Sequence, residues 1–182
     1  MSRKYIVFTI ITVLFTLFDQ LTKLWVVENI KYRVDEIPVI EGFLSFVHAQ
    51  NRGAAFGIMQ GQMIVFAIFT IIALGVLGQM LWQLEADDSF QSFALGLIAS
   101  GAIGNGIDRA YKQSVTDFIR VYTDNPSVAA WLQENFGTTE WPSFNIADAA
   151  IVIGLLMFLF HFLFLEKDAE DLEPDPPAKA LE

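Results

Sequence analysis

Cysteine is absent from the 182-residue chain. Without it there is no disulfide, no thiol nucleophile and no thiolate-bound metal. Histidine is nearly absent: only His48 and His161 occur, too few for a histidine-rich metal centre. Neither has an acid or nucleophile beside it in sequence, so both read as packing or interfacial residues. Charge is sparse, at 18% of residues, where a soluble domain carries ~25%. What charge there is leans acidic, with 21 Asp and Glu against 11 Lys and Arg and a net charge of -10. That balance offers no basic patch for nucleic acid. Carboxylates, amides and a few cations are left to carry any chemistry, with no metal or cofactor expected.

Apolar residues are what the chain has in abundance. They make up 54% of it, seventeen are Phe, and the mean hydropathy is +0.46. They cluster into four runs at about 5–27, 62–84, 90–108 and 144–165. Each run is long enough, at ~1.5 Å per helical residue, to cross a ~30 Å hydrocarbon core. The first follows Arg3-Lys4 as a secretory signal would, but no small-residue cleavage site comes after Phe18 and the run continues to Val27, so it reads as a retained span. The sequence thus predicts a mainly α, polytopic membrane protein. Segments 28–61 and 109–143 share one side and the termini share the other. Arg3 and Lys4 favour cytoplasmic termini, although the two long segments also carry Lys and Arg. Residues 166–182 hold seven acids against two lysines, with almost no apolar content, and read as a disordered acidic tail.

Two pieces of the long segments have a pattern of their own. EIPVIEGFLSFVHAQ has the β-branched and aromatic content of short strands, so a small sheet is expected from 28–61. In NPSVAAWLQENFG, Ser127 is placed to cap a short helix and Gly137 to stop it. Val128, Trp131, Leu132 and Phe136 would then share a face, laid on the membrane surface or on a partner segment.

Polar residues inside or beside the spans need reasons, because a carboxylate in a bilayer is costly. In the third span Gly96, Ser100 and Gly104 recur every four residues, a spacing that lets two membrane helices approach closely, and Asp108 continues the row. Asn105 lies three residues before Asp108 and four before Arg109, and the plain expectation for the latter two is a helix-end ion pair. In VTDFI, Asp117 stands among Val115, Phe118 and Ile119, which hold it against membrane or protein. Asp148 falls in the first turn of the fourth span, shortly after Pro142-Ser143, with no charge nearby in sequence. The helix dipole favours an anion there by only ~0.3–1 kcal/mol, so another segment must help. Asp108, Asp117 and Asp148 all map to one side, where two of these carboxylates can meet. In the first span, Asp19 and Lys23 are spaced to pair within the helix, with Lys23 snorkelling to the interface. NRGAAFG at 51–57 is a small-residue turn whose Asn51 is suited to bind a polypeptide backbone.

FDQLTK (18–23), NRGAAFG (51–57), GAIGNGIDR (101–109), VTDF (115–118) and FNIAD (144–148) occur in an order that resembles the signature blocks of the lipoprotein signal peptidase, or type II signal peptidase, family. Each block alone is weak; the ordered set, spread over about 5–165, is specific. Arg52 stands where Thr is common, Ser100 where a Gly is common, and the connection from Asp117 to Asn145 is longer than usual. The resemblance implies a single membrane-embedded peptidase domain over 1–165, in the bacterial inner membrane, with cytoplasmic termini and its site near the outer leaflet. The sheet and short helix would be extracytoplasmic. It implies an aspartic endopeptidase acting as a monomer on diacylglyceryl-modified prolipoproteins, cutting just before the lipidated cysteine. Carried over by position, Asp117 and Asp148 are the catalytic pair. Asn51, Asn105, Arg109, Asn145, Asp19 and Lys23 support it or the substrate, while Gly53, Gly104 and Asp108 are structural, Asp108 by orienting Arg109.

Residue chemistry is compatible with that reading. Two close carboxylates share a proton, so one can act as base on water while the other protonates the leaving nitrogen. Two other classes remain open. A small proton-coupled transporter would rest on Asp19, and a non-catalytic assembly factor would use the outer segments only to bind lipidated proteins.

Overall fold

The computed structural model describes residues 2–53 and 61–165; most of NRGAAFG and the acidic tail lie outside them. In chain order the elements are α1 (Arg3–Asn29), β1 (Glu36–Ile40), β2 (Leu44–Asn51), α2 (Met63–Gln83), α3 (Ser89–Lys112), β3 (Val115–Val121), α4 (Pro126–Phe136) and α5 (Ile146–Phe160). A π-helical turn at His161–Leu165 extends α5. Four helices are long and apolar enough to cross a membrane, and they fall on the four runs expected.

α3 is the hub of the bundle. Its window is mostly buried, whereas α1, α2 and α5 turn most of their apolar side chains outward. The reason lies in its small residues. Thr12, Thr16 and Gln20 of α1 donate to the carbonyls of Gly96, Ser100 and Gly104, so the two helices run parallel and in step. On another side, a Cβ at Gly101 would collide with the Ala147 carbonyl of α5, and one at Gly154 of α5 would come 2.7 Å from the Ala94 carbonyl. Absent side chains thus let α3 and α5 touch backbone to backbone. At the far end, Lys4 Nζ donates to the Trp82 and Leu84 carbonyls at the end of α2. There Gln91 meets His161, which stacks on Phe90.

The sheet is antiparallel, in the order β1-β2-β3. Its third strand corrects the expectation of a sheet built from 28–61 alone: VTDFIRV pairs with β2, Ala49 facing Asp117. Four consecutive buried residues, Val115 to Phe118, hide the alternation by which a strand is read. Phe118 packs with Val26 and Ile30 at the end of α1, joining sheet to bundle. His48 is buried under the sheet, its Nδ1 2.9 Å from the Ile30 carbonyl. The short helix α4 is present, but Asn125 caps it instead of Ser127, accepting from the Ser127 and Val128 amides. Pro126 occupies the first helical position, where its missing N–H costs nothing, and this places the cap two residues earlier than Ser127. Gly137 ends α4 in the left-handed region, as expected.

Candidate active site

α5 begins at the end of the bundle that carries the sheet, and its first turn makes a reciprocal cap. The Asn145 side chain accepts from the Asp148 amide at 3.0 Å, and the Asp148 carboxylate accepts from the Asn145 amide at 3.2 Å. Asn145 does more than cap. Its Nδ2 donates to Asp117 Oδ1 at 2.8 Å and lies 3.2 Å from Asn105 Oδ1. Asn105 in turn donates to Asp148 Oδ1 at 2.7 Å. Two asparagines thus tie Asp117 on β3 to Asp148 on α5. Both carboxylates line one cleft of about 550 Å³, together with Asn51 and Arg109.

A second layer of charge lies beneath. Asp19, Lys23 and Asp108 are all fully buried. Lys23 Nζ lies 2.8 Å from Asp19 and 3.3 Å from Asp108, and it donates to Asn105 Oδ1 at 3.0 Å. Asp19 pairs with Lys23 as its spacing suggests, but Lys23 does not snorkel: it turns inward to two carboxylates and an amide. Asp19 also accepts from the Ala147 amide at 2.9 Å, bracing the start of α5 from α1. A Cβ at Gly104 would lie 2.5 Å from Asp19 Oδ2, so glycine makes room for this carboxylate.

The expected Asp108–Arg109 pair does not form. Adjacent helical residues point ~100° apart, whereas Asp108 and Lys112 share a face. Lys112 Nζ lies 3.1 Å from Asp108 Oδ1, while Oδ2 accepts from the Thr116 amide at 3.0 Å. Asp108 therefore holds β3, one residue before Asp117, and does not orient Arg109. Arg109 donates to the Gly53 carbonyl at 3.2 Å and stacks over Phe66, 4.5 Å from the ring centre. The Asn51 side chain accepts from the Gly53 amide, closing the turn that Arg109 braces.

Asp117 is 4% exposed. Burial, and then the neighbouring Asp148 charge, push its carboxyl up to about 7, against hydrogen bonds from Asn145 and Asn51. One wall of the cleft is apolar, formed by Trp141, Pro142, Phe144, Ile151, Val152 and Ile153. Sequence reading passed over Lys112, Trp141, Phe144 and the Thr116 and Ala147 amides. Only Lys112, four residues after Asp108, had a local signal. No group of three or more potential His, Cys, Asp or Glu metal ligands occurs among the described residues.

Fold and site together define a polytopic membrane protein with two carboxylates in a cleft at one end of the bundle. The family model for signal peptidase (SPase) II matches residues 11–164, and the chain belongs to that family, which makes it a membrane peptidase. It is 38% identical over 165 residues to the lipoprotein signal peptidase of Maridesulfovibrio salexigens, covering 88% of this chain and 97% of that one. To the lipoprotein signal peptidase of Shouchella clausii it is 40% identical over 154 residues, covering 85% and 91%. A bacterial membrane enzyme solved by the in meso method at 2.3 Å resolution superposes with a TM-score of 0.74 at 32% identity, covering 93% of each chain.

Proposed function

We propose that the protein is an aspartic endopeptidase that removes the signal peptide from diacylglyceryl-modified bacterial prolipoproteins, cutting just before the lipidated cysteine. The observation that carries this reading is Asn145, whose side chain and amide bond to both carboxylates in one cleft. One carboxylate takes a proton from water as the water oxygen attacks the scissile carbonyl carbon. The other, protonated beforehand, gives its proton to the amide nitrogen as the C–N bond breaks. The raised Asp117 carboxyl supports a pair that keeps one proton near neutral pH. Arg109 is near enough to feel the charges of both carboxylates and is placed to steady charge on the attacked carbonyl.

The apolar wall suits a signal helix and the acyl chains of its lipid, both arriving from within the bilayer. We place the enzyme in the bacterial inner membrane as a monomer, termini cytoplasmic and cleft near the outer leaflet. The transporter alternative draws no support, because Asp19 is fully buried and held by Lys23, Gln20 and the Ala147 amide. The test is a gel-shift assay of the purified protein with a prolipoprotein, with and without its diacylglyceryl group. Cleavage of the lipidated form alone, lost in both Asp117→Asn and Asp148→Asn, is expected. Turnover by either variant would remove that residue from the pair.

A further inference from the structure

α4 has no buried residue. Val128, Trp131, Leu132, Asn135 and Phe136 follow helical spacing and form one face. On it Val128 is 44% exposed, Trp131 56% and Phe136 68%. Trp131 and Phe136 meet edge to face at 5.6 Å, and Asn135 turns its amide back onto the Trp131 carbonyl. The opposite face carries Ser127, Ala130 and Glu134. Such a face needs a cover, and three observations say which.

The first is continuity with the membrane. The stem of α4 is zipped by Tyr122 and Glu140, and by the Trp141 amide on the Val121 carbonyl. Only Trp141 to Phe144 then separate it from the cap of the spanning helix α5. The second is the cleft. Trp141, itself exposed, shares it with Val152 and Ile153, which point outward from α5. Val152 lies four residues beyond Asp148, ~6 Å further along α5. The cleft rim beside α4 is therefore continuous with a surface that faces acyl chains. The third is charge. No Lys or Arg occurs from Val121 to Leu165, and Arg120 just before it is paired with Glu36 and Glu140, so this region offers no free cation to an acidic partner or to anionic headgroups among the described residues. Aromatic residues on an amphipathic helix next to a span suit the bilayer interface instead.

We propose that α4 is an interfacial membrane anchor, its Val128–Trp131–Leu132–Phe136 face sunk between lipid headgroups and acyl chains beside the cleft, holding the cleft rim at the bilayer surface. Anchoring is by insertion and is independent of anionic lipid. That the held rim serves a lipid-borne substrate rests on the peptidase reading; the anchoring does not.

Because the chain lacks cysteine, a single introduced thiol can be spin-labelled uniquely. Phe136→Cys and Glu134→Cys place labels on opposite faces of α4, two residues and so ~160° apart, both at exposed positions. The full chain is reconstituted in phosphatidylcholine vesicles, and each label is relaxed with oxygen, which concentrates in the bilayer, or with a water-soluble nickel chelate. The Phe136→Cys label should respond mainly to oxygen and the Glu134→Cys label to nickel, unchanged when phosphatidylglycerol is added. Nickel access to both would put α4 in water and overturn the proposal. Shielding of the Phe136→Cys label from both reagents would mean a protein cover, such as a second copy. Shielding that appears only with prolipoprotein would make the substrate the occupant. Either of these also overturns it. For the cleft rim, Trp131→Asp should raise KM about tenfold in vesicles, on the scale of one lost aromatic insertion, and leave kcat unchanged. An unchanged KM would refute the rim's part. Absence of cleavage by the unmodified enzyme would refute the peptidase reading and leave the labelling result standing.

Discussion

Asp117 is a carboxyl group buried beside another carboxylate, so it keeps its proton to about pH 7. Since the folded chain holds this proton more tightly than the unfolded one, the stability it contributes is complete below about pH 4, the ordinary carboxylate range. It is lost as pH rises through 7. Asp117→Asn, which keeps an oxygen for Asn145, should therefore match the unmodified protein in thermal unfolding at pH 4. At pH 8 it should exceed it by a few kcal/mol, at ~1.4 kcal/mol for each tenfold change in proton affinity. A lower melting temperature for the variant at pH 8 would mean that an ionised Asp117 stabilises the fold. On the proposed scheme the same proton sets activity: kcat/KM should fall on the alkaline side with a midpoint near 7, a property of the pair and not of one residue. At this scale the sequence was informative about which residues are polar without a local reason, and Asp148 was one. Their partners were less legible. Asp108 next to Arg109 suggested a pair, but side-chain direction on a helix sends Asp108 to Lys23 and Lys112.

The elements place the two carboxylates through two local devices. Asn145 caps α5 and also bonds to Asp117 and Asn105, so its two tasks can be separated. Asn145→Ser keeps an oxygen for the cap but has no amide to donate, whereas Asn145→Ala loses both. Asn145→Ala should be less stable than Asn145→Ser by ~1 kcal/mol in denaturant unfolding, the usual worth of a cap. Both should lose activity alike, and an active Asn145→Ser would deny the amide its role. The other device is the missing side chain at Gly101, where a Cβ would strike the Ala147 carbonyl. Gly101→Ala should destabilise by ~1–3 kcal/mol through overpacking and displace Asp148 with α5. Gly75→Ala on α2, where a Cβ meets nothing within 4 Å, should be neutral or slightly stabilising. Melting temperatures of the two variants in one detergent check the contrast. The helices were legible because length and hydropathy are local. β3 was not, because its evidence is its pairing with β2, which comes from a distant part of the chain.

Across the whole molecule, the carboxylate pair is divided between two layers. Asp148 belongs to the helical bundle and Asp117 to the sheet, so catalysis on the proposed scheme depends on how firmly the layers are joined. Phe118 packed against Val26 and Ile30 is one joint, and the Phe144 bridge to Ile119 is another. Asp108 makes the third, reaching from α3 to the Thr116 amide beside Asp117. No sequence spacing announces this joint, since its acceptor is a side chain and its donor a backbone amide across a turn. The motif blocks include Asp108, but the role expected of it, orienting Arg109, is not the one its contacts show. Asp108→Asn keeps an oxygen for Thr116 while removing the charge that faces Lys23 and Lys112; Asp108→Ala removes both. If the joint positions Asp117, Asp108→Ala should lower kcat by ~10²-fold, the effect expected of a ~1 Å misplacement. KM should hardly change, because Asp108 is not among the residues lining the cleft. Asp108→Asn should retain most of kcat yet unfold at lower temperature, since it leaves Lys23 short of one buried partner. Equal loss of kcat in both variants would assign the effect to charge, and full activity in Asp108→Ala would show that the sheet holds Asp117 without help from α3.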